Sequence, residues 1–119
     1  MRFAIEFSAD AEADFGLIFD HLFESYLAFG EDTEEALNHA ARRVMDIRKA
    51  TDRLANLPLQ GTARDDILPG IRLLAIARAI YWFDVDRTAR KVRILAVFFG
   101  GQDHIRHMLA RLLDRNETR

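Results

Sequence analysis

The chain has no cysteine, which excludes a disulfide framework and any thiolate chemistry. That fits a reducing cytoplasm, the compartment expected for it. Proline is scarce too, with two residues in 119, so each one marks a break in the chain. No apolar run approaches the roughly 20 residues needed to cross a bilayer, and no membrane partner is expected. The opening Met1-Arg2-Phe3-Ala4-Ile5-Glu6 meets charge too early for a secretory signal. A basic excess is also missing: 17 Lys and Arg stand against 19 Asp and Glu, for a formal charge of −2. Nucleic-acid enzymes usually carry such an excess to neutralise phosphates. The two halves differ, however. Residues 1–40 are strongly acidic, whereas residues 42–119 hold most of the arginines, so a local basic face remains open.

What is present suits one domain, 1–119. Half of the chain is apolar, enough for one core and too little length for two. Residues 2–7 alternate, with Phe3, Ile5 and Phe7 on one side, which predicts a half-buried strand. Ser8 precedes Asp10, Glu12 and Asp14, a capping residue ahead of acidic side chains near a positive helix end; the three carboxylates read as a solvated first turn. Phe15, Ile18, Phe19, Leu22, Phe23 and Tyr26 recur at helical spacing, so residues 9–28 form an amphipathic helix that Gly30 stops. A second helix starts near Asp32 or Thr33. Its inner face carries Ala36, Leu37, Ala40, Ala41, Val44, Ile47 and Leu54, and Pro58 ends it. The alanines allow close approach, so the two helices read as a hairpin.

Residues 58–70 form an irregular connection with Gly61, Pro69 and Gly70 as turn residues. Residues 71–76, 78–85 and 91–99 read as three strands, with 86–90 as a polar hairpin loop. Val92 to Phe99 is apolar on both faces, which predicts a central strand. Gly100-Gly101 breaks it. Residues 102–114 make a last helix with Ile105, Met108, Leu109 and Leu112 facing in, and Arg115–Arg119 form a polar, frayed tail. The order is α+β: an N-terminal strand, a helical hairpin on one sheet face, a three-stranded antiparallel meander and a C-terminal helix.

Four segments in series carry a likeness: Pro58-Leu59-Gln60-Gly61, Leu68-Pro69-Gly70-Ile71-Arg72, Arg78-Ala79-Ile80-Tyr81-Trp82-Phe83-Asp84-Val85, and Val92-Arg93-Ile94-Leu95-Ala96-Val97-Phe98. Placed after two helices, this pattern resembles the RelE/ParE family of toxins from bacterial toxin–antitoxin pairs, over nearly the whole chain. Ala77 lies where family members often have a glycine-containing turn. The resemblance implies an arginine just after the Pro-Gly turn and another at the start of the next strand. Arg72 and Arg78 match those positions. In RNA-cleaving members, similarly placed basic residues hold the scissile phosphate.

Arg64, Arg72, Arg78 and Arg93 fall in or beside strands, where a guanidinium can grip a phosphate or carboxylate with two bonds. The plainer reading is an arginine paired with Asp65, Asp66 or Asp84. Tyr81 and Trp82 are neighbours on one strand and point to opposite faces; one belongs to the core and the other is free to anchor a partner, unless both are simply packed. These six are the candidate target- or antitoxin-binding residues. The segment Gln102-Asp103-His104-Ile105-Arg106-His107 supplies a histidine for acid–base work. If the chain is a nuclease, its catalytic candidates are Arg72, Arg78 and His104. Glycine at the end of the last strand departs from the nuclease pattern. Asp103, His104 and His107 are too few for a closed metal site, so no metal and no cofactor is expected. His21 and His39 receive no role.

The resemblance implies a type II toxin neutralised by a cognate antitoxin, a small DNA-binding dimer whose C-terminal segment folds on the toxin. The expected assembly is a hetero-oligomer of the two, and plasmid stabilisation is the associated role. The long helical hairpin and acidic charge favour the ParE branch, which acts by binding a target such as DNA gyrase. The alternatives are a RelE-like ribosome-dependent mRNA endonuclease, and a non-toxic interaction domain of the same fold.

Overall fold

The computed structural model describes residues 2–100 and 103–117. Strand β1 (Ala4–Phe7) leads into helix α1 (Ala9–Ala28) and helix α2 (Thr33–Lys49), which continues as a 3-10 helix (Ala50–Ala55). Strands β2 (Thr62–Ala63), β3 (Arg72–Ile76), β4 (Ala79–Asp86) and β5 (Lys91–Phe99) follow, and helix α3 (His104–Glu117) comes last. The strands form one five-stranded sheet in the order β1-β5-β4-β3-β2. The expected antiparallel meander is β3-β4-β5. β1 joins it parallel to β5, and β5 is accordingly central.

Each boundary has a local cause. Ser8 caps α1: its Oγ accepts from the Ala11 amide at 3.0 Å and donates to the Leu95 carbonyl. One hydroxyl thereby starts the helix and ties it to β5. Gly30, at φ +101°, ends the first arm of the hairpin, and Asp32 caps α2 by accepting from the Glu35 amide. Gly61 sits at φ +82°, and a Cβ there would lie 2.2 Å from the Leu73 carbonyl oxygen. Only glycine permits that approach of β2 to β3.

Several expectations need correction. The second helix does not run in α form to Pro58. Its last carbonyls are claimed by side chains: Tyr81 Oη donates to Ile47 O at 2.6 Å, and Thr51 Oγ1 donates to Arg48 O. From Ala50 the chain tightens to 3-10 form, a common way to satisfy a helix end. The connection 58–70 is not wholly irregular, because Thr62 and Ala63 pair with Leu73 and Arg72. Leu37 and Leu109 are exposed rather than inward. The last helix extends through Glu117 rather than fraying from Arg115. The expectations for Gly101, Gln102 and the final two residues lie outside the described residues.

The sheet is covered on both faces. On one, α1, α2 and the 3-10 helix bury Ala11, Phe15, Ile18, Leu22, Ala40, Ile47 and Leu54 against Tyr81, Phe83, Val92, Ile94 and Val97. On the other, α3 places Met108 over Ile71, Trp82, Ala96 and Phe98. A register irregularity at Trp82/Phe83, opposite Ala96 and Ile94, leaves Leu95 without a cross-strand partner on β4. It shifts the alternation, so that Val92 and Ile94 share the hairpin face with Val97 rather than with Ala96. Among the described residues, no helix is long and apolar enough to cross a membrane.

Candidate functional site

Three of the four strand-associated arginines are engaged within the chain. Arg64 makes two bonds to Asp66, at 2.9 and 2.8 Å, and Arg93 makes the same fork with Asp84. Each guanidinium is held further toward its charged form by that carboxylate. Asp66 is correspondingly held below the usual carboxylate range. Arg72 donates to the carbonyls of Leu59, Gln60 and Gly61 at 2.6, 3.2 and 3.3 Å. It clasps the loop before β2. Asp65 instead accepts from the Gly70 amide and shapes the Pro-Gly turn.

Arg78 differs. It is not at the start of a strand but in the two-residue turn between Ile76 and Ala79, whose Cα positions are paired across the hairpin. Ala77 beside it adopts φ +53°, the conformation for which glycine is usual. The Arg78 guanidinium lies 5.6 Å over the Phe99 ring, and no hydrogen bond or ion pair engages it among the described residues.

Tyr81 and Trp82 do point to opposite faces, but neither is free for a partner. Their relative exposures are 1% and 0%, because helices cover both faces. The expectation of an exposed aromatic anchor there is corrected. Burial pushes the Tyr81 hydroxyl up to about 12, so it stays a donor to Ile47. Trp82 Nε1 donates to His104 Nδ1 at 3.2 Å. Accepting that bond requires the neutral ring. Desolvation, and secondarily the Arg64 cation, lower the His104 pKa, with Asp103 partly opposing them.

Asp103 caps α3, accepting from the Arg106 amide at 3.2 Å. His107 stacks on Phe98 with centroids 5.7 Å apart. Asp103, His104 and His107 thus have separate engagements, and no group of three such side chains among the described residues is placed to hold a metal ion. His39 stacks on Tyr26 and bonds Glu31 at 2.9 Å, a tie within the hairpin.

The polar centre that sequence reading missed is Asp14. It is 3% exposed, not part of a solvated turn. Its Oδ2 accepts from the Val97 amide at 2.9 Å and from Arg111 Nη1 at 2.9 Å, while Oδ1 takes Arg111 Nη2. The carboxylate therefore joins α1, the outer edge of β5 and α3. Asp14 falls in register with Ala11 and Ile18 on the buried face of α1. A carboxylate on an apolar stripe was the available signal.

Beside this pair lies a groove of about 470 Å³ between α1, the end of β5 and α3. Leu17, His21, Arg78, Phe99, His107 and Arg111 are among its walls. Of the candidate residues, it gathers Arg78 alone. His21, to which no role was assigned, and His107 join it. Asp14 and Arg111 cancel, so Arg78 leaves the groove electropositive on an acidic chain.

No protein-family profile matches the chain, and no curated protein matches it. Solved structures do. The chain is similar to a chain of the chromosomal ParDE TA system from P. aeruginosa, with TM-score 0.62, 24% identity, and coverage of 84% of this chain and 98% of that one. It is also similar to a chain of the toxin–antitoxin complex RelBE2 from Mycobacterium tuberculosis, with TM-score 0.55, 14% identity, and coverage of 83% and 99%. The element order, the helical hairpin on one face and the antiparallel meander agree with the expected architecture, and the chain has the α+β, RelE/ParE-like fold.

Proposed function

We propose that the chain is the toxin of a type II toxin–antitoxin pair and acts by binding a cellular target, DNA gyrase being the ParE-branch example. The observation that carries this is the fold match over more than four-fifths of the chain to chains from a ParDE TA system and a RelBE2 toxin–antitoxin complex. On this reading the chain works in the cytoplasm, serves plasmid stabilisation and is held by a dimeric DNA-binding antitoxin in a hetero-oligomer. Preference for binding over catalysis rests on the candidate catalytic groups. Arg72 is spent on three carbonyls, and His104 offers its Nδ1 lone pair to Trp82. Arg72 is therefore turned to the loop rather than to a phosphate, and the His104 nitrogen that could take a proton is engaged.

One observation favours the nuclease reading: Arg78, His21 and His107 line one groove, which sets a guanidinium beside two imidazoles. The deciding experiment is induced expression with growth measured, with and without the neighbouring reading frame. A DNA-gyrase supercoiling assay and primer extension on cellular mRNA run beside it. Growth arrest relieved by the neighbour, with supercoiling inhibited and mRNA intact, is the expected result. New 5′ ends within codons, lost in Arg78→Ala, would replace binding with cleavage. Unimpaired growth at confirmed expression would indicate a non-toxic interaction domain.

A further inference from the structure

The outer edge of β5 is only half used. β1 pairs with it from Lys91 to Ile94 and no further, because the chain turns into α1 after Ser8. Beyond that point the ladder alternation fixes which groups face outward. The Gly100 amide donates to the Arg78 carbonyl at 3.0 Å, toward the β4 side. The Val97 amide donates to Asp14, away from β4. Phe99 therefore also directs its amide and carbonyl outward, and Val97 its carbonyl. All three face the groove, and none has a partner among the described residues.

The groove walls straddle that edge. His21 lies against Phe99, on the hairpin side, with centroids 6.4 Å apart. His107 stacks on Phe98, on the α3 side. The Arg78 guanidinium stands over Phe99. At the inner end the Asp14–Arg111 pair closes the groove and leaves no net charge there.

We infer that this groove receives a short extended segment of the antitoxin, which adds to the outer edge of β5 at Val97–Phe99 and places an acidic side chain on Arg78. The inference rests on the toxin reading and names the docking place within it. Two outward carbonyls need N–H donors, which a phosphate or lone carboxylate cannot supply. A peptide strand brings donors and acceptors in alternation. Its side chains then alternate between the Phe99–His21 wall and the Phe98–His107 wall. The carboxylate belongs on the Phe99 side, where the Arg78 guanidinium stands over the ring.

The test uses the whole chain and the product of the adjacent reading frame, co-expressed and purified as a complex. Amide exchange at Phe99 is followed by NMR in the free chain and the complex, and affinity is measured for three variants. In the complex, Phe99 exchange should slow by about a hundredfold. Arg78→Glu should weaken binding at least about tenfold. Phe99→Pro removes the outward donor without breaking a bond to β4, which proline tolerates at an open edge. It should bind about tenfold more weakly than Phe99→Ala, which keeps the donor. If Phe99→Pro does not fold, exchange at the unaltered Phe99 still decides. A stable complex with Phe99 unprotected and Arg78→Glu unaffected overturns this docking and leaves the toxin reading standing. No complex with the neighbour overturns both.

Discussion

The two faces of the sheet are held by different means. Toward the helical hairpin, two long helices and a 3-10 turn bury a broad set of side chains, including Phe15, Leu22, Leu54, Tyr81 and Phe83. Toward α3, the buried cluster among the described residues is smaller, made of Ile71, Trp82, Ala96, Phe98 and Met108. There the apolar contact is supplemented by two polar ties, Asp14 to Arg111 and Trp82 to His104. Burial of area is non-directional and tolerates small adjustments. A buried ion pair is directional, and losing one member strands the other. The hairpin face is therefore the stable foundation. The α3 face is where single polar changes should act most sharply, and the groove lies where the two meet.

The largest expected effect is at the pair that spans them. In Arg111→Ala, the Asp14 carboxylate keeps its burial and loses its cation, which should cost about 3–5 kcal/mol of folding stability. Urea unfolding measures it. A double change, Asp14→Asn with Arg111→Met, removes both charges and should recover a substantial part. A cost for Arg111→Ala below about 1 kcal/mol would break the contrast between the faces, because α3 would then be held by area as the hairpin is.

A smaller effect is expected at Arg72, which serves the hairpin face and the loop before β2. Arg72→Ala releases the carbonyls of Leu59, Gln60 and Gly61. Because the side chain is partly exposed and water can replace it, the cost should be about 1–2 kcal/mol. Thermal unfolding with growth assays separates its two possible duties. If toxicity falls only as far as folded protein falls, Arg72 is a loop clasp. A loss of toxicity in a fully folded Arg72→Ala would mark it as a target contact and sharpen the case for a functional hairpin face.

Much of this architecture was legible in the chain. Period-two and helical spacing located β1, α1, α2, β4, β5 and α3, and the capping residue Ser8 acted where local chemistry put it. Features set by distant contacts were not legible. The end of α2 depends on Tyr81 reaching Ile47, 34 positions away in sequence. The two-residue β2 depends on Gly61 passing close to Leu73. The burial of both Tyr81 and Trp82 follows from α3 covering the second face, which strand alternation alone does not reveal. The pairings of Arg64 with Asp66 and Arg93 with Asp84 lay among the expected plain readings. The groove was missed because its members come from α1, a turn, β5 and α3. Only Asp14, a carboxylate in step with Ala11 and Ile18, signalled it.

The smallest expected effect concerns pH and the second tie of α3. His104 Nδ1 accepts from Trp82 Nε1, and protonating that nitrogen would set donor against donor. Desolvation and the Arg64 cation lower the folded-state pKa, with Asp103 opposing. A depressed histidine favours the fold when neutral, so its contribution is full above the ordinary value and is lost as pH falls through the folded value. Other groups titrate in the same range, so the informative quantity is a difference between two proteins. His104→Gln can keep an acceptor for Trp82 without titrating. Between pH 7.5 and pH 5, the unaltered chain should lose more melting temperature than His104→Gln. The excess should be about 1–2 °C at most, because the ring is only half-buried and water screens it. Equal losses would remove the tie to Trp82 as a pH-sensitive element and leave the Asp14–Arg111 pair as the chief polar support of α3.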